Sequence, residues 1–222
     1  MGMPNAGGRP LESPGKRTIT LAVTGASGAL FARAMLRQLE ADERVGAVNL
    51  ISSDSGLRVL AEELDLGGRG GGRSDLARQL LGAEAQKTRV QNNQDVGANI
   101  ASGSYPTDAM IVLPCSMGTL AKIAQGLASK LIERAADVCL KERIPLVLCV
   151  RETPLNRIHL RNMTLAAEAG ATIYPLIPAF YNHPASLDEM ARQFVFRVLK
   201  HVGLPQKAAY VWKPEAANDS PE

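Results

Sequence analysis

The sequence predicts an α/β fold, a doubly wound parallel sheet with helices on both faces. Strand-like apolar runs alternate with amphipathic stretches from residue 18 onward, the order expected of strand–helix–strand crossovers. Runs such as Leu146-Val147-Leu148-Cys149-Val150 are apolar throughout, as strands covered on both faces must be. A chain of 222 residues, 45% of them hydrophobic, can bury a full core, and nothing in it demands a second domain. One domain is expected over residues 17–212. Residues 1–16, rich in Gly and Pro, and residues 213–222 read as disordered tails.

The elements follow in order. Residues 18–23 form the first strand, 28–40 the first helix and 47–51 the second strand. Leu57, Leu60, Ala61 and Leu64 make one stripe of a second helix, whose other face holds Glu62 or Glu63. The Gly/Arg run at 67–73 cannot pack a core and reads as a surface loop, with helical sequence resuming near Ser74. Ser102-Gly103-Ser104 is a turn before the strand at Ile111-Val112-Leu113. Gly126 separates two helices, the second over 131–143, and Pro145 ends it and starts the strand at 146–150. A helix over 160–169, a short strand over 171–174 and a Pro-rich loop over 175–184 follow. Ser186-Leu187-Asp188-Glu189 is a capping-box signature, and the helix it opens places Leu187, Met190, Phe194, Val198 and Val202 on one face.

Composition narrows the function. Net charge is +3 and the basic residues are scattered, so the basic face of a nucleic-acid binder is missing. No apolar run is long enough to span a bilayer and the N-terminus has no apolar signal core, which points to a cytoplasmic protein. Cys115, Cys139 and Cys149 form no Cys-x-x-Cys pair and suit reduced, buried thiols. No metal site is expected, and the dispersed His159, His183 and His201 suit surface or capping roles.

The polar residues that could carry chemistry gather at strand ends. Thr24-Gly25-Ala26-Ser27-Gly28 lies between the first strand and first helix, where doubly wound folds bind nucleotides, but it lacks the Gly-x-Gly-x-x-Gly spacing. Ser52, Ser116 and Arg151 follow strands that should end on the same edge. In Pro114-Cys115-Ser116-Met117-Gly118-Thr119, two hydroxyls, a glycine and the free N–H groups of a helix start make an anion site, although Ser116 and Thr119 could simply cap that helix. Arg134 and Lys141 share a helical face; they are either a solvated stripe with Glu133, Asp137 and Glu142 or, returning to the same edge with Arg151, the holders of a second phosphate. Glu152, beside Arg151, would handle protons or orient the cations. Tyr181 and Arg197 complete the set, though a lone Arg beside an apolar stripe commonly snorkels.

From residue 18 to about 212 the chain resembles the flavin prenyltransferases (UbiX-type), which have a Rossmann-like flavoprotein fold. The matching words are Thr-Gly-Ala-Ser-Gly at 24–28, Ala-Ser-Gly-Ser at 101–104, Pro-Cys-Ser-Met-Gly-Thr at 114–119, Glu-Arg-Ala-Ala-Asp-Val at 133–138, Leu-Lys-Glu-Arg at 140–143, Arg-Glu-Thr-Pro-Leu at 151–155 and Pro-Ala-Phe-Tyr at 178–181. The resemblance implies that Gly25, Ala26, Ser27, Ser52, Ser116, Met117, Gly118, Thr119 and Arg151 contact FMN, and that Ser102 and Trp212 line the pocket. It implies that Arg134, Lys141, Arg151 and Glu152 surround the phosphate of dimethylallyl phosphate, with Tyr181 and Arg197 supplied by a neighbouring subunit. Glu62 corresponds to a carboxylate near the flavin, with Glu63 one residue away.

The implied reaction joins the dimethylallyl group to N5 and C6 of reduced FMN, releases phosphate, and supplies prenylated FMN to a UbiD-type decarboxylase. Arg134 and Lys141 would stabilise the leaving phosphate without a metal, while Glu152, Glu62 and Ser27 would serve proton handling at the flavin. A homo-oligomer, a dodecamer, is expected. The rival within the fold is the flavin-dependent cysteine decarboxylase family, which has Asn where Gly118 stands and a catalytic His after the first helix; no His precedes His159 here. A flavin-binding protein without chemistry and a nucleotide-binding regulatory domain are the readings outside that chemistry.

Overall fold

The computed structural model describes residues 15–66 and 75–210; the loop at 67–73, Trp212 and almost all of both expected tails lie outside them. Six parallel strands, β1 (Arg17–Val23), β2 (Val45–Ser52), β3 (Thr88–Gln91), β4 (Ala109–Cys115), β5 (Leu146–Val150) and β6 (Thr172–Ile173), lie in the order β3-β2-β1-β4-β5-β6. The order reverses between β1 and β4, and the crevice beyond their C-terminal ends is where such sheets bind ligands.

Period-two alternation divides the four central strands between two cores. On one face Ile19, Leu21, Val48, Leu50, Ile111 and Val147 pack under α1 (Ala29–Ala41), α3 (Leu76–Leu81) and α7 (Leu187–His201), with Leu60 of α2 (Asp54–Glu63) at the margin. On the other, Ala22, Ile51, Met110, Val112 and Leu148 meet α4 (Met117–Ala124), α5 (Leu131–Glu142) and Ala166 of α6 (Arg157–Glu168). Each fully buried Leu or Ile contributes about 1.5–3 kcal/mol, so a strand that feeds both cores is fixed in register.

The direction of α5 bears on the site. Its first turn is held where the chain leaves β3: Leu131 N donates to Asn93 O (2.9 Å) and Ile132 N to Asn93 Oδ1 (3.0 Å). Its far end precedes β5, so α5 runs from the C-terminal edge of the sheet to the N-terminal edge. Glu133 turns inward and accepts from Lys122 of α4 at 3.1 Å.

Several expectations shift. The strand β3 escapes the sequence pattern because Thr88-Arg89-Val90-Gln91 has a single apolar residue and forms a half-covered edge. Helix α6 begins at Arg157 rather than at 160, because Asn156 Oδ1 accepts from His159 N (2.9 Å) and His159 Nδ1 accepts from Asn156 N (3.4 Å). That gives His159 a capping role. In α7, Ser186 caps as expected, but Glu189 reaches back to Ala185 N (2.8 Å), and Leu187 points away from the core at 68% exposure. All three cysteines are free and buried, and burial pushes the Cys115 and Cys139 thiols up to about 12. Among the described residues no helix is long and apolar enough to cross a membrane.

Candidate functional site

Two turns meet at the switch point, joined by a buried hydroxyl. Thr24, at the end of β1 and fully buried, donates from Oγ1 to Pro114 O (2.9 Å) and accepts at the same atom from Ser116 N (2.8 Å). Thr24 N also donates to Pro114 O (3.1 Å), and Arg151 N donates to Cys115 O (3.1 Å), which ties the end of β5 to the same place. Three strand ends are thereby locked together by bonds whose loss would leave buried polar groups unpaired.

Ser116 caps α4: its Oγ accepts from Thr119 N (3.3 Å) and donates to Thr119 Oγ1 (3.1 Å). The capping reading therefore holds for Ser116, while Thr119 is the residue it caps. Met117 and Gly118 N–H, the first two of the helix, have no acceptor within it. Met117 buries its side chain in the core, so only its main chain is available to a ligand. Gly118 is open: a Cβ there would find no atom within 4 Å, so space for a planar or phosphate group lies against the helix start. Gly28 is constrained in the opposite way, with φ +132° and a Cβ position 2.6 Å from Leu176 Cδ2.

The carboxylate at the first turn is Glu63. Its Oε2 accepts from Gly28 N (3.0 Å) and Ala29 N (2.8 Å), and Ser27 donates its hydroxyl to the same group. Partial burial pulls its pKa up, but the Ser27 hydroxyl, the two N–H groups and the charge of Arg151 together hold it below the ordinary value. Glu62, the preceding residue of α2, is exposed too, but it is Glu63 that seats on the first turn, one residue along from the carboxylate the resemblance singled out. The missed signal was phase: Glu63 lies three residues after Leu60 and seven after Gly56, the two buried positions of α2. A carboxylate seated on two free N–H groups also demonstrates that the start of α1 accepts an anion.

Ser52 reaches the edge by its main chain only. Its buried hydroxyl turns toward Val23 O (3.5 Å) and Ser53 O (3.2 Å), and the hydroxyls nearer solvent are those of Ser53 and Ser55, 3.1 Å apart. Arg151 is exposed beside Glu152, whose Oε1 accepts from Thr153 N (3.0 Å).

The two cations of α5 divide between the edges of the sheet. Arg134 pairs with Asp137 (2.7 Å) and donates from Nε to Ala101 O (3.2 Å). Lys141 pairs with Glu142, and both side chains press on Gly103, where a Cβ would sit 2.7 Å from Lys141 Nζ. Ser102, bonded to Ser104 at 2.9 Å, belongs to the same loop. Lys141 lies roughly 10 Å further down α5 than Arg134, at the end preceding β5, whereas Arg151 follows β5. The expectation that all three cations return to one edge therefore fails for Lys141, because the helix carries it across the sheet.

Tyr181 and Arg197 do come together, with Arg197 Nη1 donating to Tyr181 Oη at 3.2 Å. They line a pocket over α7 with Tyr174, Asn182, Gln193 and Tyr210. Burial raises the Tyr174 phenol above its ordinary pKa, with the Arg197 guanidinium opposing it. Arg197 thus meets two phenols rather than snorkelling. Thr24 was read only as part of its turn, and Tyr174 and Tyr210 were not singled out from the sequence.

The family model described as Flavoprotein matches residues 8–191. The flavin prenyltransferase UbiX of Pseudomonas aeruginosa is 42% identical over 200 residues, 89% of this chain and 95% of the relative. Among solved structures, AnUbiX in complex with FMN and dimethylallyl pyrophosphate superposes with a TM-score of 0.78 at 39% identity, over 90% of this chain and 98% of that one. A dodecameric FMN-dependent UbiX-like decarboxylase from Escherichia coli superposes with a TM-score of 0.76 at 38% identity, over 89% of this chain and all of the other.

Proposed function

The chain belongs to the family of UbiX-type flavin prenyltransferases, and from that premise we propose how its residues divide the work. It is a flavoprotein enzyme, with FMN as the flavin. Reduced FMN, when bound, supplies N5 and C6 as the atoms that accept a dimethylallyl group from dimethylallyl phosphate. Ser116, Thr119 and the N–H groups of Met117 and Gly118 hold the flavin's phosphate end. Gly25, Ala26 and Ser27 line the ring, and the ionised Glu63 accepts the Ser27 hydroxyl and so orients it. Ser52 contributes its main chain, Ser102 and Trp212 line the pocket, and Arg151 spans the flavin and the prenyl donor.

At the donor, Arg134, Lys141, Arg151 and Arg197 stabilise negative charge on the departing phosphate, Tyr181 donates a hydrogen bond, and Glu152 orients the cations and moves a proton. Since Lys141 and Arg151 of one chain lie at opposite edges, a complete site draws on a neighbouring copy, with Tyr181 and Arg197 also from a neighbour. A dodecamer, as in the Escherichia coli relative, accommodates this. The product passes to a UbiD-type decarboxylase, in the cytoplasm.

The observation that supports this most is the junction of the Thr24 and Ser116 turns, with an open helix start at Gly118 on one side and Arg151-Glu152 on the other. Incubation with reduced FMN and either dimethylallyl phosphate or dimethylallyl diphosphate tests it, read by product mass. The expected product is FMN enlarged by one dimethylallyl unit, from the monophosphate. Extraction of FAD or NAD from the purified protein, or no mass change with either donor, would refute the assignment.

A further inference from the structure

Beyond α7 the chain turns back and lays residues 206–210 along that helix, fixed at two points. Gln206 Nε2 donates to Asp42 Oδ2 (2.9 Å) and Leu204 O (2.8 Å), and its Oε1 accepts from Gln38 (2.9 Å). Four residues on, Gln193 grips the main chain with both ends of its amide: Nε2 donates to Ala208 O (3.2 Å), and Oε1 accepts from Tyr210 N (2.9 Å). A side chain that satisfies two main-chain groups in this way acts like a rung of sheet and fixes where the next side chain points.

That side chain is Tyr210, whose ring lies 5.4 Å from the ring of Tyr181 at 52°. Tyr181 sits in the Pro-rich loop after β6, 47% exposed, and bonds to Arg197 through its hydroxyl. Gln193 and Arg197 are four apart on α7, so the grip and the guanidinium share one helical face. Asn182 Oδ1, buried in the same pocket, has no hydrogen-bond partner among the described residues. The pocket thus has a cation, a phenol, an unsatisfied amide and an aromatic wall built from outside the loop it braces.

We propose that Tyr210, held by Gln193, is a positioning residue for the prenyl donor: it braces the Tyr181 ring so that the Tyr181 hydroxyl and Arg197 meet the donor's phosphate as one fixed pair. This rests on the reading of the Tyr181–Arg197 pocket as the phosphate-binding half of the site. An unbraced ring would be ordered only on binding, and that ordering weakens the apparent affinity for the donor without altering the chemical step.

The test uses the full-length assembled enzyme, saturated with reduced FMN, with dimethylallyl phosphate varied. Tyr210→Ala and Gln193→Leu are each expected to raise KM for the donor about fivefold, the scale of one aromatic pair. In both, kcat, FMN affinity and the thermal midpoint are expected to stay close to the parent. Tyr210→Phe keeps the ring and should bring KM back toward the parent value, a rescue that general loosening would not give. The brace is refuted if Tyr210→Ala leaves KM unchanged, if Phe is as poor as Ala, or if the loss falls on kcat and thermal midpoint instead. Arg197→Ala separates the two levels. If it raises KM while Tyr210→Ala does not, only the brace fails; if it leaves KM unchanged, the pocket reading fails and takes the brace with it.

Discussion

At the switch point, Thr24 joins two turns through buried bonds of 2.8–2.9 Å, and a third strand end is pinned to the same place by Arg151 N. Over α7 and along α5 the arrangement is different: Tyr181, Arg197, Arg134 and Lys141 are solvent-accessible, and their polar groups are occupied by Asp137, Glu142 or one another. The first region is preorganised by main chain and buried hydroxyls within one chain. The second consists of long side chains whose exposed ion pairs are worth little and exchange readily for a phosphate. A flavin that stays can be held by a rigid cradle, whereas a donor that arrives and leaves as phosphate suits cations that are parked on weak partners.

The largest expected effect comes from Glu152, which stands beside Arg151 and, among the described residues, accepts only a local bond from Thr153 N. Glu152→Gln keeps that acceptor and the side-chain volume but removes the charge and the exchangeable proton. Product formation should fall by about 10²–10⁴, the usual span for a general acid or base, with FMN affinity retained. Single-turnover assays with mass detection would measure this. Unchanged turnover would make Glu152 a bystander and leave the phosphate side without a proton carrier.

Thr24→Val probes the rigid side. Valine keeps the shape but unpairs Ser116 N and removes a donor from Pro114 O, a loss of about 1–3 kcal/mol in stability. FMN affinity should weaken with it, because the α4 start shifts relative to the first turn. Calorimetry and flavin titration would show both. A variant with parental melting and FMN binding would mean that the turns are positioned by packing alone, and the contrast between the regions would disappear.

Sharing between subunits gives a smaller, partial signal. Chains carrying Arg197→Ala mixed with chains carrying Arg151→Ala should recover activity in a minority of sites, since some interfaces pair two intact halves. Native mass spectrometry would confirm mixed assemblies. No recovery in confirmed hybrids would place both arginines of a working site in one subunit.

How much was legible follows the same division. The sheet, its buried strands and the turns at 24–28 and 114–119 could be read because apolar runs and helix-start chemistry are local signals. The half-covered β3 could not, since four residues with one apolar side chain carry no period. Lys141 shows why shared spacing on a helix is insufficient: it fixed the face common with Arg134 but not which edge of the sheet that end of α5 reaches. Tyr210 was invisible because its position depends on Gln193 gripping main chain fifteen or more residues away in sequence.

The smallest effect concerns the carboxylate that the rigid region holds for itself. Glu63 is drawn upward in pKa by burial but downward, and on balance below its ordinary value, by Ser27, the Gly28 and Ala29 N–H groups and Arg151. A group depressed in the folded state contributes stability above its unfolded pKa, about 4.3 for Glu, and loses it as pH falls through the lower folded value. Glu40 and Asp42, also depressed, titrate in the same acid window, so the useful quantity is a difference between melting curves. Below about pH 4 the parent's thermal midpoint should drop more steeply than that of Glu63→Gln, which has no charge to lose there. Glu62→Gln, altered one residue along, removes none of the bonds at the first turn and is the control for that slope. The reverse result, with Glu62→Gln flattening the curve and Glu63→Gln retaining it, would return the flavin-side carboxylate to Glu62 and overturn the arrangement of the first turn.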